Sequence, residues 1–188
     1  MNYSIKPEEH ELREARQAVE KTLEGCKYVL EKDEDLEFSL GHTGLDAVEG
    51  FGVSGTALSP STAEIFFNTE VDSWKENLED LTADIYGQTW FYENSEVNFV
   101  WQQVLASITG LMVIEKISDQ KGVEIEDLQE EWAEKKTDIS EQISEQPENL
   151  SWQLKTAIGH ELLEEYELEE FPELNRTDVL EAGDSLFE

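Results

Sequence analysis

Apolar residues recur at helical spacing near the N-terminus, where Leu12, Ala15, Val19, Leu23, Cys26 and Leu30 fall on one face. Pro7 followed by Glu8 and Glu9 predicts the start of this helix, because proline is accommodated in the first turn and acids there complement the helix dipole. The pattern carries it to about residue 31. The period then changes. "LEFSL" and "AEIFFN" read as short strands, and the segment between them, "GHTGLDAVEGFGVSGTALSPS", reads as turns and irregular connection from its glycines, serines and Pro60. A small sheet of two or three strands is expected.

Ser73-Trp74-Lys75-Glu76 has the spacing of a capping box, and Trp74, Leu78, Leu81 and Ile85 follow at helical intervals. Val97 to Ile114, "VNFVWQQVLASITGLMVI", is uncharged throughout and close to bilayer length. Five polar residues interrupt it, Asn98, Gln102, Gln103, Ser107 and Thr109. Glu96 and Glu115 flank it where a membrane helix carries basic anchors. A helix buried on most sides, over about residues 97 to 119, fits better. Ile125, Leu128, Trp132, Ile139 and Ile143 predict another helix, Asn149 a cap for the one containing His160, and Thr177 to Ala182 a short last turn. No repeat or low-complexity linker interrupts the pattern.

Composition changes the picture through charge. Among 188 residues, 45 acids against 13 bases give a formal net charge of −32. That self-repulsion is relieved only by screening, and at ~1 M salt the Debye length falls to ~3 Å. Acids spread over nearly every polar face, with hydrated salt cations held among them, suit the cytoplasm of a halophile. The charge argues against binding nucleic acid itself, whose phosphates require basic partners. An acidic nucleic-acid mimic is the alternative that such a charge leaves open. Cys26 is the only cysteine, so no internal disulfide forms. The N-terminus lacks the basic and apolar regions of a signal peptide, and a cytoplasmic location is expected. A hydrophobic content of 38%, with five Trp and eight Phe, supplies one packed domain.

Candidate chemistry is sparse. "IGHELLEEY" begins like His-Glu-x-x-His, but the second imidazole position is Glu164. His160 and Glu164 would be half a metal site needing another anchor. Ile158, Leu162, Leu163 and Tyr166 make the apolar stripe of an amphipathic helix, with His160, Glu161, Glu164, Glu165 and Glu167 mostly on its wet side. No Gly-x-Ser-x-Gly elbow, phosphate-binding glycine loop, dinucleotide fingerprint or Cys pair is present.

Residues 52 to 88, "GVSGTALSPSTAEIFFNTEVDSWKENLEDLTADIYGQ", resemble a family of predicted zinc-dependent proteases, a gluzincin-like group filed as a domain of unknown function. Gly52, Val53, Ser54 and Gly55 match its turn, Ala63 to Phe67 its strand, and Trp74, Leu78, Thr82 and Ala83 the approach to its zinc motif. The resemblance extends over roughly residues 36 to 187 and implies a metalloprotease-like, zincin-like scaffold. In that register the His-Glu-x-x-His positions hold Asp84, Ile85, Tyr86, Gly87 and Gln88, and the Glu-Gly pair of the third ligand becomes Thr109-Gly110. Ile85 stands where the general base would activate the bound water, and Gln88 is a weak neutral donor. What the resemblance implies is therefore a pseudoenzyme with no resident cofactor. A retained groove of Tyr86, Gln88, Trp90, Phe91, Tyr92, Trp101, Gln102 and Thr109 would bind a protein or peptide without cutting it, unless these aromatics simply pack as core. The expected architecture is a mainly helical α+β single domain over 1–188, an N-terminal helix in 1–35 and the protease-like region in 36–188. The enzymatic alternative is a zinc hydrolase with a rearranged site using His160 and Glu164.

Overall fold

The computed structural model describes residues 8–30, 36–42, 51–59, 61–96, 99–118, 132 and 135–187. They form a mainly helical α+β structure with one three-stranded sheet. The chain separates into two compact units, Met1–Trp90 and Phe91–Glu188.

In the first unit, α1 (Glu9–Val29) buries Ala15, Ala18, Val19, Thr22, Leu23 and Cys26, and lies against β1 (Glu37–His42). Leu12, at the start of the predicted apolar row, is exposed. A capping box of Glu8 and Glu11 closes the N-terminus of α1; Pro7 lies outside the described residues. Within the segment read from sequence as irregular connection, Val53–Ser59 is a strand, β2, and this corrects that expectation. It escaped the apolar pattern because Ser54, Gly55 and Thr56 interrupt its apolar residues; its ladder with β3 (Thr62–Phe67) decides the conformation. The sheet order is β1-β3-β2. β3 pairs in parallel with β1, as in Leu40 opposite Ile65, and antiparallel with β2, as in Gly55 opposite Ile65.

Ala63, Ile65 and Phe67 alternate into the core from β3. Trp74, first residue of α2 (Trp74–Asn94), stacks on Phe67 with ring centroids 5.4 Å apart. The loop feeding α2 is held by Gly52, whose φ of +73° suits glycine, whose carbonyl accepts from Asn68 N–H at 2.8 Å. Asn77 Nδ2 donates to the Phe51 carbonyl at 2.6 Å and to the Ser73 hydroxyl at 3.0 Å.

The second unit centres on α3 (Phe99–Ser118), which buries Trp101, Val104, Leu105, Ala106, Ile108, Thr109, Met112 and Val113 on more than one side. Residues 97 and 98 of the uncharged run, and Ile125 and Leu128, lie outside the described residues. No described helix is long and apolar enough to cross a membrane. The helix around Ile139 and Ile143 is α4 (Lys136–Glu145), and it contacts α6 (Arg176–Ser185), a longer element than the single turn expected there. Between them runs α5 (Trp152–Glu165), packed on α3 and α6. Asn149 ends a 3-10 turn and does not cap α5. Ser151 does, accepting from Leu154 N–H at 3.3 Å, because Leu150 is extended and the helix starts after it.

Candidate functional site

The positions aligned with the protease motif lie on α2. Gln88 Nε2 donates to Asp84 Oδ2 at 2.8 Å, one helical turn apart, so the two polar positions satisfy each other. Ile85 between them is 5% exposed. A Cβ built on Gly55 would lie 3.1 Å from Ile85 Cδ1 and 2.9 Å from the Glu64 carbonyl. The side chain at the would-be base position thus rests on β2 where that strand has no side chain of its own. Tyr86 and Gly87 are buried too. Thr82 and Thr89 turn their hydroxyls back to the Leu78 and Ile85 carbonyls at 2.7 Å each, which lets polar residues enter the core with their donors satisfied. Asp80, one turn before Asp84, is held above the usual carboxylate range by burial, with Glu79 and Glu76 adding to the effect.

Thr109 belongs to the second unit. It is fully buried on α3 and donates to the Leu105 carbonyl at 2.8 Å, so its oxygen is engaged within its own helix. Of the aromatic positions aligned with a groove, Trp90 and Phe91 are buried, Trp101 is 6% exposed, and Tyr92 is 39% exposed. Gln102 Nε2 reaches the Ser95 carbonyl at 3.5 Å.

His160 has a partner that the sequence did not suggest. Its Nε2 lies 2.5 Å from Glu115 Oε2, joining α5 to α3. The contact depends on a close helix crossing: a Cβ on Gly159 would sit 2.8 Å from Met112 Sδ and 3.0 Å from Ile108 Cγ2, so glycine alone allows this approach without displacement. The hydrogen bond to Glu115 raises the His160 pKa against the opposing effect of burial. Nearer the start of α5, Lys155 Nζ donates to Ser107 Oγ at 3.4 Å across the same pair of helices. Nothing in local spacing links positions 115 and 160; the only sequence signal was that Glu115 is the first charge after the uncharged run. Glu164 is not part of this pair. It is exposed and lines a separate pocket of about 70 Å³ with Glu161, Glu165, Tyr166, Asp178 and Glu181. The structure thus brings His160 to Glu115, while Glu164 faces the separate pocket. Among the described residues, no group of three or more His, Cys, Asp or Glu side chains is arranged to hold a metal ion.

His42, at the end of β1, packs edge-on against Phe67 at 5.6 Å. Among the described residues, neither of its buried ring nitrogens has a hydrogen-bond partner.

The second unit also has a cleft of about 620 Å³ lined by Asn94, Glu96, Pro172, Glu173, Leu174, Asn175 and Arg176. Its geometry comes from the end of α2 and from the 3-10 segment Leu168–Glu173 that leads into α6. Arg176 places its guanidinium carbon 6.0 Å from the Trp101 ring centroid. No protein family, curated protein or solved structure matches the chain.

Proposed function

We propose that the chain is a non-hydrolytic binding protein, a pseudoenzyme on a protease-like scaffold, that holds a protein or peptide segment in the cytoplasm of a salt-accumulating cell. The Gln88–Asp84 hydrogen bond carries this reading, together with Ile85 resting on Gly55. A carboxylate engaged by a neutral amide, next to a buried aliphatic side chain, offers neither a competent ligand pair nor a base for activating water. The net charge of −32 supports the salt-rich setting, where screening lets so acidic a surface remain compact.

The test is metal analysis of untagged protein purified in molar KCl, run beside a peptide hydrolysis assay with and without chelator. Metal-free protein that leaves peptides intact is expected. One zinc per chain that disappears on mutation of Asp84 or His160, or cleavage that stops on chelation, overturns the proposal in favour of a rearranged zinc hydrolase. Capture of a basic DNA-binding protein that duplex DNA competes away overturns it in favour of an acidic mimic.

A further inference from the structure

Arg176 is unusual in its surroundings. Acids outnumber bases more than three to one in this chain, yet this exposed guanidinium makes no ion pair among the described residues. Among the described residues it lies over the ring of Trp101, which is buried. Stacking on an aromatic face fixes the plane of a guanidinium while leaving its edge N–H groups free, the arrangement in which arginine receives a planar oxyanion through two parallel hydrogen bonds. Asn175, beside it in the cleft, uses Oδ1 to accept from Thr177 N–H at 2.8 Å, and among the described residues Nδ2 of the same amide has no acceptor. The free amides at the start of α6 are not the source of this site, since Asn175 and Asp178 already form a capping box there. Leu174 and Pro172, both buried, supply an apolar floor.

We propose that this cleft binds an acidic peptide segment of a partner protein, one side-chain carboxylate of which is received by Arg176 and Asn175. The inference rests on the binding reading above and names its site and ligand class. A carboxylate fits better than a phosphate because Glu96 and Glu173 also line the cleft, and their charges penalise a dianion more heavily than a monoanion. The partner is acidic for the same reason that this chain is: proteins sharing a salt-rich compartment carry carboxylates on their surfaces.

The salt dependence has an unusual sign. An anionic ligand approaching a chain of net charge −32 is repelled at long range, whereas the guanidinium–carboxylate contact acts at short range. Added KCl therefore screens the repulsion first, and affinity rises. A cationic ligand drawn to the acidic surface would show the reverse.

The experiment uses fluorescence anisotropy of two labelled, C-amidated peptides that differ only by Glu or Gln at one central position, titrated with the full chain at increasing KCl. The Glu peptide is expected to bind about tenfold more tightly than the Gln peptide, a difference of ~1.4 kcal/mol. Arg176→Gln should abolish that preference and Arg176→Lys should recover only part of it; both substitutions are at an exposed position, and far-UV circular dichroism checks that they stay folded. Equal binding of the two peptides, a preference that survives Arg176→Gln, affinity that falls steadily with KCl, or stronger competition by inorganic phosphate than by acetate each overturns the proposal. Mass spectrometry of the peptide after titration separates the two levels: cleavage sinks the non-hydrolytic reading, while intact peptide without a Glu preference sinks the site alone.

Discussion

Replacing Ile85 by glutamate introduces the acid that the proposed protease-like register would place at this position, and tests whether the position is core or cleft. Ile85 is 5% exposed and contacts Gly55 of β2. Full burial of an isoleucine side chain stabilises by ~1.5–3 kcal/mol, of which a glutamate methylene stem keeps part. A carboxyl group with no partner in this packing adds a penalty of ~1–3 kcal/mol. The two together give Ile85→Glu a loss of roughly 3–5 kcal/mol, a large fraction of the ~5–15 kcal/mol that holds an ordinary domain. Burial raises the pKa of the introduced acid above its unfolded value, so the variant is least compromised below the unfolded pKa of ~4.3 and its deficit grows as pH rises through the folded value. Urea denaturation in molar KCl, followed by tryptophan fluorescence and circular dichroism at acid and neutral pH, measures this directly. Ile85→Val in the same series should lose only ~0.5–1.5 kcal/mol. A variant Ile85→Glu with the wild-type midpoint at neutral pH would refute the packing argument, and zinc uptake by that variant would show an open catalytic cleft in its place.

Gly55→Ala should lower stability by about 1–3 kcal/mol in the same denaturation assay, although alanine is ordinarily no worse than glycine in a strand, because its Cβ would lie 2.9 Å from the Glu64 carbonyl; an unchanged midpoint contradicts the close approach. For Glu115→Gln, NMR titration of the histidines should show the His160 pKa falling, since the Glu115 hydrogen bond is the largest cause of its elevation. The stabilisation from this half-exposed pair, about 1 kcal/mol after allowance for solvent screening, is fully present below the unfolded histidine pKa and is lost as pH rises through the raised folded value. A His160 titration unmoved by the substitution rules out the pairing. Burial pushes the Cys26 thiol up to about 12, so the folded protein should resist alkylation at pH 8 and react once denatured. Rapid modification of the native thiol would contradict its burial.

Much of the helical architecture was legible because a helix writes its buried face at a fixed interval in the chain. Ala15, Val19, Leu23 and Cys26 in α1 and the uncharged run that becomes α3 are cases where local period and burial agree. β2 was illegible for the opposite reason. Gly55 faces Ile85 and Ile65, so the buried volume there is supplied by neighbours on other elements, and the run Ser54-Gly55-Thr56 breaks the apolar alternation that would have marked the strand. The positions aligned with the resembled motif could be read as poor ligands from their side chains alone. That Gln88 and Asp84 engage each other, and that Ile85 is core, required the packed helix.

By itself the sequence determined the amphipathic faces, the acidic surface and the lack of a disulfide, because each depends on residue identity or on contacts a few positions apart. Tertiary structure decided which polar groups meet. Glu115 and His160, or Arg176 and Trp101, are separated by long stretches of chain and come together only through the packing of one element on another. The energy of such pairs falls off over a few ångströms, whereas a local pattern fixes which face a side chain occupies and not what it meets there.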